Sequence, residues 1–379
     1  MPKEKCFANV FAVTCLKMTR LFSVYCNRLQ KDMSVSKNTR KKSQNSITIV
    51  DVAREAGVSY STVSRVFSGF EFVNGDTREK VIEAANRLGY VVNLQARSLA
   101  GGRSNIIGLL APGIDNGYIS EIVSGIDQEL ARSNYDLMLY TTHRYAGKEA
   151  FYVKSIANGL VDGLILIVPL ITANYIQALP SQDFPYVLID QTDSMPHSSS
   201  VDATNWQGAY DATNYLISIG HRRIGFITGQ LQLSSSTERL DGYRAALQHH
   251  HIAYDESLVA LGDYQTKGGY VAGQQLINLP QRPTAIFASN DLSAIGAIEA
   301  ARERGLRIPN DISFVGFDDI PQASLAYPKL TTVRQPLVQI GQVAVRLLLE
   351  KIDDPEKEAR RVTLSTELII RDSCAPPHG

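Results

Sequence analysis

Polar side chains follow several apolar runs of this chain, at the positions where buried strands would end. In an open α/β sheet, ligands bind beyond the carboxyl ends of the strands, so such side chains are candidates for one shared site. Carboxylates, amides and guanidinium groups bind vicinal hydroxyls in pairs, and an aromatic face covers the apolar side of a sugar ring. We therefore predict a binding site for a polyhydroxylated small molecule at these strand ends. The candidates are Tyr118, Asp190, the region Ser234–Arg239, the pair Asp263 and Tyr264, the pair Asn290 and Asp291, and the pair Asp318 and Asp319.

A second candidate site lies in the N-terminal run TIVDVAREAGVSYSTVSRVF, residues 48–67. Thr48 followed by Asp51 is the pattern of a capping box and predicts a helix through residue 56. Gly57 permits a tight turn, and Ser59 is a suitable N-cap for a second helix that ends near residue 67. Two short helices joined by such a turn are typical of a helix-turn-helix.

The second of these helices has one apolar side and one polar side. An arginine and a phenol on a helix that enters a major groove suit guanine edges and phosphates. A third helix, which we expect to open at Asp76 or Thr77 and to close at Gly89, would complete a three-helix bundle. The alternative is an ordinary helical hairpin whose polar residues are solvated. If Val63 and Val66 face the core, the outward side presents Tyr60, Ser61, Ser64 and Arg65.

The elements that must position the first site come after residue 104, where apolar runs alternate with amphipathic helical stretches. Nearly continuous apolar strands separated by helices indicate parallel sheets covered on both faces. Eight such units allow one large sheet, a barrel or two similar lobes, and a long crossing at Asp193–Asn205, which we expect to lack a strand, favours two lobes. The predicted strands are 105–111, 135–141, 162–168, 185–190, 223–228, 258–263, 285–289 and 312–317. The predicted helices are 122–133, 206–220, 236–250, 268–279, 292–305 and 340–352.

Length and charge agree with a multidomain protein that has a polyanion partner. The chain has 379 residues, 44% of them hydrophobic and 20% charged, which predicts two to three domains with a real core. Residues 1–46 carry ten Lys and Arg against two acids, whereas residues 104–379 carry 21 against 30. A basic N-terminal segment followed by an acidic remainder suggests that only the N-terminal segment binds a polyanion. No run approaches the roughly 18 apolar residues of a membrane helix.

The first residues of the chain vaguely imitate a signal peptide, with a basic start and a short apolar stretch. The cleavage signature is poor, and Lys17, Arg20 and Arg28 follow at once. We expect residues 1–46 to be a disordered leader, with Met33 as the true start. The four cysteines contain no CxxC pair, which argues against a metal site or disulfide framework and favours a cytoplasmic location.

The titratable residues give little support for catalysis. Glycoside hydrolysis needs two carboxylates that flank one bond, but Asp318 and Asp319 are adjacent and would point to different sides of a strand end. His249, His250 and His251 are consecutive at a helix end, so they fan apart and do not converge on a metal. The sequence contains none of the motifs GxSxG, HExxH, GxxxxGK[ST] or GxGxxG. We expect neither an enzyme nor a cofactor.

The run DVAREAGVSYSTVSRV, followed by TREKV, LGY and N-x-x-A-R-S-L-A-G-x-R-S, resembles the lactose/galactose-repressor family of bacterial transcription regulators. The resemblance covers 47 to about 372. It implies an α helix-turn-helix headpiece and an α/β core of two lobes with parallel sheets, like a periplasmic sugar-binding protein. The implied domains are the leader 1–46, a DNA-binding domain 47–92, a hinge helix and linker 93–103, an effector-binding and dimerisation core 104–372 with lobe crossings near 204, 333 and 363, and a tail 373–379.

The resemblance also assigns roles on DNA. Tyr60, Ser61 and Arg65 fall at its base-reading positions. Leu99 matches an apolar wedge that enters the minor groove from the hinge helix, with Asn93 and Arg97 beside it. Eight residues are too few for a stable isolated helix, so the hinge would order only with DNA and a second subunit; a plain flexible linker is the alternative. The residues at or near phosphate-contacting positions are Thr48, Ser59, Thr62, Ser64, Asn74 and Thr77.

Among the strand-end candidates, the resemblance selects five as effector-contacting: Asp190, Arg239, Tyr264, Asn290 and Asp318. Together with Tyr118 these are the six predicted ligand-binding residues. Purine-responsive members carry a further arginine in the loop that is Gln230–Ser236 here; this loop has none, which favours a sugar. The resemblance implies a homodimer on a palindromic operator, because no heptad tail follows Ser373. A phosphoprotein co-repressor stays an open question. The alternatives are a transport-type sugar-binding protein that ignores DNA and an enzyme of carbohydrate metabolism.

Overall fold

The computed structural model describes residues 47–67, 72–91, 103–143, 153, 160–168, 184–191 and 198–378. The chain divides by its internal contacts into two units, Met1–Val92 and Asn93–Gly379. Among the described helices, none is both long and apolar enough to cross a membrane. Two predicted segments lie outside the described residues: the leader 1–46, and the hinge helix and linker up to residue 102, with Asn93, Arg97 and Leu99.

Three helices are described in the N-terminal unit: α1 (Ile49–Ala56), α2 (Tyr60–Phe67) and α3 (Gly75–Leu88). The predicted capping box is confirmed, since the Asp51 carboxylate accepts hydrogen bonds from the backbone nitrogen of Thr48 at 2.9 Å and from its hydroxyl at 2.7 Å. Gly57 ends α1 with a φ of 67°, in the left-handed region that side chains disfavour. The helices pack around a small core of Val52, Ala53, Val63, Val66, Val81, Ala84 and Ala85.

The start of α3 differs from the prediction. Asn74 caps this helix, because its side-chain oxygen accepts a hydrogen bond from the backbone nitrogen of Asp76 at 3.0 Å. The helix therefore begins at Gly75, and neither Asp76 nor Thr77 opens it. Asn and Asp cap helices about equally well, so residue type alone does not rank these neighbours.

The first part of the second unit builds one lobe around a parallel sheet. Its described elements are β1 (Ile106–Ala111), α4 (Gly117–Arg132), β2 (Asp136–Thr141), β3 (Gly163–Ile167), β4 (Tyr186–Ile189) and β5 (Ser199–Ala203). Strands β1, β3 and β4 are buried along their whole length. Such burial is expected for parallel strands that helices cover on both faces.

A second lobe follows, with the same alternation of strands and helices. Its elements are α5 (Asn205–Ser218), β6 (Ile224–Ile227), α6 (Ser234–His249), β7 (Val259–Ala260), α7 (Thr266–Ile277), β8 (Ala285–Ala288), α8 (Asp291–Glu303), β9 (Ser313–Asp318), α9 (Pro321–Leu325) and β10 (Thr331–Arg334). Buried aromatic rings fill one side of its sheet, among them Phe226, Tyr243 and Phe287. On the other side, small alanines let α7 and α8 pack closely.

The last elements return to both lobes: α10 (Leu337–Asp353), β11 (Arg361–Leu364) and β12 (Glu367–Ile369). The sheet orders are β11-β5-β4-β3-β1-β2 and β12-β10-β9-β8-β6-β7, so the predicted two-lobed α/β fold is confirmed. In the described residues the chain passes between the lobes at 204, at 335–336 and at 365–366. We call these the first, second and third crossings. The family resemblance implied crossings near residues 204, 333 and 363, so the second and third lie two to three residues later than implied.

Four described strands escaped the sequence prediction: β5, β10, β11 and β12. The expectation that Asp193–Asn205 lacks a strand was wrong, because β5 lies inside it. Its sequence SSVDA is short and polar, and its burial comes from pairing with β4 and β11 and not from apolar content. Strand β12 pairs antiparallel with β10, so the second sheet is parallel except at one edge.

Helices α4 and α10 approach each other closely at two glycines. A Cβ atom on Gly125 would lie 2.0 Å from the carbonyl oxygen of Val338, and one on Gly341 would lie 2.3 Å from the carbonyl oxygen of Ile122. Because backbone atoms stand there, neither position admits a side chain unless the helices separate. This contact fixes α10, which follows the second crossing, against the first lobe.

We expect Gly125→Ala to destabilise the core by about 2–3 kcal/mol, because the added methyl group overpacks this contact. The measurement is the midpoint of the core's unfolding transition in urea. Gly113→Ala is the matched control in the same lobe, since its nearest neighbour would be the side-chain oxygen of Asp115 at 3.0 Å, which can move away. Equal midpoints for the two variants would contradict the close helix contact.

Candidate functional site

The structure brings all six predicted ligand-binding residues to one cavity. Each follows or lies near the end of a strand, as the sequence analysis expects. Tyr118 and Asp190 come from the first lobe, at the start of α4 and directly after β4; the other four come from the second lobe. The cavity therefore lies between the lobes. The four residues of the second lobe are Arg239, Tyr264, Asn290 and Asp318.

Four residues that line this cavity have a backbone in the left-handed region. The φ angles are 43° at Val168, 55° at Asp190, 67° at Tyr264 and 110° at Asp318. Non-glycine residues rarely adopt such angles, at a cost of order 1–3 kcal/mol each. Strain of this kind persists where the surrounding structure imposes it, and its concentration at one cavity marks the cavity as a functional site.

Arg239 is the central charged residue of the cavity, with only 2% of its surface exposed. Its Nη1 atom lies 3.6 Å from Oδ1 of Asp318 and donates a hydrogen bond to the carbonyl oxygen of Ser289 at 2.6 Å. Its Nε atom donates to Oδ1 of Asn205 at 2.9 Å. The guanidinium lies 3.9 Å from the ring centre of Phe317, a cation–π contact that adds to its stabilisation. These contacts fix the direction in which the charge points.

Burial shifts the pKa values of the two cavity carboxylates. Desolvation raises the pKa of Asp318 to about 7, and the charge of Arg239 and a hydrogen bond from Gln335 limit this rise. Desolvation also raises the pKa of Asp190, again opposed by Arg239. Near neutral pH Asp318 is therefore poised between proton donor and proton acceptor. A ligand hydroxyl that donates to either carboxylate would favour its ionised form.

Several polar atoms of the cavity are buried without a hydrogen-bond partner in the part of the chain that the structure describes. They include the hydroxyl oxygens of Tyr118 and Tyr264 and Oδ1 of Asp190. Buried polar groups are almost always hydrogen-bonded, so atoms of this kind indicate a missing partner. The hydroxyls of Ser235 and Ser236 are in the same condition. The only contacts among these atoms are loose ones, from Ser235 to Asp190, from both serines to Tyr264 and from Tyr118 to Asp190, and none has the geometry of a full hydrogen bond. A hydroxyl-rich ligand offers both donors and acceptors to such a set.

Asn290 lines the cavity but uses its amide within the protein. Its Oδ1 atom accepts a hydrogen bond from the backbone nitrogen of Ser293 and so caps α8, and its Nδ2 atom donates to the carbonyl oxygen of Tyr264 at 3.0 Å. The same side chain therefore holds the helix and the aromatic residue in place. Sequence reasoning missed Ser289, Asn205 and Gln335, because their partners are distant in sequence and no local pattern signals them.

The predicted DNA-reading side of α2 is solvent-exposed. Val63 and Val66 are buried, and Tyr60 is 50% exposed. Ser61, Ser64 and Arg65 are exposed on the opposite side of the helix. This division of the helix into a buried and an exposed side agrees with the predicted orientation.

The residues expected near phosphates are partly engaged in capping. The Thr48 hydroxyl donates to Asp51, and the Ser59 hydroxyl accepts from the backbone nitrogen of Thr62 at 3.2 Å and lies 2.8 Å from the Ser61 hydroxyl. Asn74 caps α3, and Thr77 in its first turn is half-buried. Helix N-termini of this kind attract phosphate groups. No group of three or more candidate metal ligands occurs within the described ranges.

A helix-turn-helix unit and a two-lobed core with a buried cavity together define a DNA-binding regulator that responds to a small molecule. Residues 48–93 match the model for bacterial regulatory proteins of the lacI family, and residues 213–374 match the model for a periplasmic binding protein-like domain. The chain is 35% identical over 327 residues to the HTH-type transcriptional repressor PurR of Vibrio atlanticus strain LGP32, covering 86% of this chain and 98% of that one.

The solved structures that are similar to this chain are also DNA-binding regulators. A complex of the transcriptional regulator CelR with cellobiose is 33% identical, with a TM-score of 0.68 and coverage of 86% of this chain and 99% of that one. The lac repressor dimer bound to operator and the anti-inducer ONPF is 30% identical, with a TM-score of 0.76 and coverage of 87% and 99%. The chain belongs to the lacI family of bacterial regulatory proteins, and it is a DNA-binding transcriptional regulator.

The raised pKa of Asp318 predicts how core stability depends on pH. Its folded value of about 7 lies above the ordinary value of 3.8, so the folded state binds more protons between these values and stability falls as pH rises through them. We expect Asp318→Asn to reduce the stability that the core loses on raising the pH by a few kcal/mol. The measurement is the free energy of core unfolding in urea at about pH 4.5 and at about pH 8.

Asp311→Asn is the control for this measurement. Arg307 holds the pKa of the half-buried Asp311 carboxyl below its ordinary value, so Asp311 contributes stability that is lost only in more acidic solution. Removing the Asp311 carboxylate should leave the difference in the free energy of unfolding between the two pH conditions unchanged. If Asp318→Asn left the pH dependence of core stability as it is in the wild type, this result would contradict the raised pKa of Asp318.

Proposed function

We propose that this regulator is a cytoplasmic repressor that binds a palindromic operator as a homodimer and whose operator affinity is set by a sugar in the interlobe cavity. The observation that carries the proposal is the set of buried, unpartnered polar atoms among Tyr118, Asp190 and Tyr264, beside the Arg239–Asp318 pair. A ligand with several hydroxyls supplies the missing partners at once.

The alternative effector is a purine, and the similarity to PurR supports it. Three features favour the sugar. Asp190 and Asp318 accept hydrogen bonds from hydroxyls when ionised, and the rings of Tyr118 and Tyr264 can cover the C–H side of a sugar ring. The loop Gln230–Ser236 also lacks the arginine that the family resemblance associates with purine response.

We propose that the exposed side of α2 reads the operator. Tyr60, Ser61 and Arg65 would contact base edges, and the capped helix starts at Thr48, Ser59 and Asn74, with Thr62, Ser64 and Thr77, would approach phosphates. Asn93, Arg97 and Leu99 lie outside the described residues, and their role as a minor-groove hinge is part of the same proposal.

The regulatory step in this proposal is a change in the angle between the lobes. A ligand shifts the equilibrium only by its difference in affinity for two states, and contacts with both lobes supply that difference. We expect the sugar to weaken operator binding, and the operator must then weaken sugar binding by the same factor. As a binding protein and not an enzyme, the regulator should release its sugar chemically unchanged.

Arg65→Ala should weaken operator binding by about 1–3 kcal/mol and relax sequence preference at one base position, because a bidentate arginine contact reads one guanine. The operator consensus is first selected from a random DNA pool with the full chain, and affinities are then measured by fluorescence anisotropy. Arg132→Ala removes the same charge from an exposed arginine of α4 and should leave both the operator affinity and the sequence preference unchanged. An equal loss in both variants would refute base reading by Arg65.

Tyr118→Phe should weaken effector binding by about 1 kcal/mol or more with little loss of stability, because its buried hydroxyl makes only a loose contact with Asp190 in the free protein. Effectors are found by a thermal-shift screen of mono- and disaccharides and nucleobases on the full chain, since binding to the native state raises its stability.

Tyr243→Phe is the matched control. Its hydroxyl donates to the carbonyl oxygen of Ile224 at 2.8 Å in the core of the second lobe, so its removal should lower stability and leave effector affinity unchanged. Nucleobases that raise the melting temperature when sugars do not would favour the purine alternative.

A further inference from the structure

Four buried residues form a continuous line of polar contacts at the cavity. Nε2 of Gln335 donates to Oδ1 of Asp318 at 2.7 Å, Oδ1 of Asp318 lies 3.6 Å from Nη1 of Arg239, and Nε of Arg239 donates to Oδ1 of Asn205 at 2.9 Å. The four residues are between 2% and 4% exposed. We call this line the Asn205–Gln335 chain. Its two inner members are charged residues of the cavity, and its two ends are neutral amides.

The two ends of the chain lie on different crossings between the lobes. Asn205 is the first residue of α5, directly after the first crossing, and Gln335 is part of the second crossing. The backbone nitrogen of Gln335 also donates to the carbonyl oxygen of Asp318 at 3.2 Å. The second crossing is thereby bonded to a cavity residue through both its backbone and its side chain.

The first and third crossings are joined in another way, without a cavity residue. The backbone nitrogen of Thr366 donates to Oγ1 of Thr204 at 2.9 Å, and the two hydroxyl oxygens are 2.9 Å apart. The second and third crossings are joined by the antiparallel pairing of β10 with β12, in which Arg334 lies opposite Glu367. The ion pair between these two side chains, at 3.6 Å, adds little because they are 48% and 70% exposed. What distinguishes the buried Asn205–Gln335 chain is that it links the first and second crossings through two residues of the cavity.

We propose that Asn205 and Gln335 are positioning residues that transmit occupancy of the cavity to the crossings about which the lobes rotate. The proposal rests on the proposed function for the identity of the occupant, but the link itself exists in the free protein. A ligand that bonds to Asp318 and Arg239 must compete with, or reorient, the bonds that these two residues make to the amides. Because the amides belong to the crossings, a shift of the charged pair moves the segments on which the lobe angle depends.

Burial explains why the chain acts as a unit. A buried amide costs free energy unless its hydrogen bonds are made, and bonds in a low dielectric strengthen one another. Oδ1 of Asp318 is shared between Gln335 and Arg239, so a change at either neighbour alters the other contact. Energetic coupling of this kind needs a continuous physical network with more than one arrangement, and the crossings of a two-lobed core supply one.

Amide hydrogen exchange on the full-length, unliganded chain tests the link. Gln335→Met keeps the length of the side chain but removes the donor. We expect it to accelerate exchange about threefold or more at residues 203–206 of the first crossing as well as at 334–337, because members of one network are coupled. Acceleration confined to 334–337 would overturn the proposal.

Thr366→Val is the matched control, because it weakens the joint of the first and third crossings without touching the chain. It should accelerate exchange at 203–206 and leave 334–337 unchanged. The double variant Asn205→Ala, Gln335→Met should accelerate exchange at 203–206 no more than the larger single effect, since both changes break the same chain. Multiplying effects would show that the two amides act independently and would also overturn the proposal.

The same assay with added cellobiose and, separately, D-ribose separates this inference from the proposed function. Where either sugar raises the melting temperature of the protein, it should alter amide exchange at both the first and the second crossing in the wild type. In Gln335→Met it should alter exchange at only one of these two crossings. If neither sugar binds, the sugar assignment fails, whereas the unliganded measurements still decide whether the chain links the crossings.

Discussion

Arg239 and Asp318 carry opposite charges 3.6 Å apart, at exposures of 2% and 4%. Removing two charges from water is costly, and the cost is offset only where further hydrogen bonds complete their shells. Asn205, Gln335 and the carbonyl oxygen of Ser289 supply these bonds. The positions of the lobe crossings and of two strand ends are therefore constrained by the need to satisfy one buried ion pair.

The same constraint explains why the cavity is suited to a reversible switch. Its carboxylates have raised pKa values, its backbone is strained at four lining residues, and several of its polar atoms lack described partners. Each feature makes the empty cavity less stable than a well-packed core would be. A ligand that completes the hydrogen bonds can recover part of this free energy, and that gain is available to bias one lobe arrangement over another.

Local patterns predicted the elements whose residues interact with near neighbours. The capping box of α1 depends on residues three apart, and the N-cap of α2 depends on Ser59 and Thr62. Apolar runs also located the central strands β1, β3, β4, β6, β8 and β9, because buried parallel strands must be apolar on both faces. Strand β5 was missed because SSVDA has few apolar residues, and β12 because three residues carry no periodic signal.

The sequence by itself determined the helix-turn-helix, the α/β class and the six residues that meet in the cavity. These features depend on residue type, on spacing and on the rule that parallel strands end at one edge. Only the tertiary structure decided that Asn290 holds Tyr264, that Asn74 opens α3, and that Asn205 and Gln335 attach the charged pair to the crossings. The contacts of Asn205 and Gln335 join residues 34 and 17 positions apart, and no local pattern encodes which side chains meet once the chain has folded back on itself.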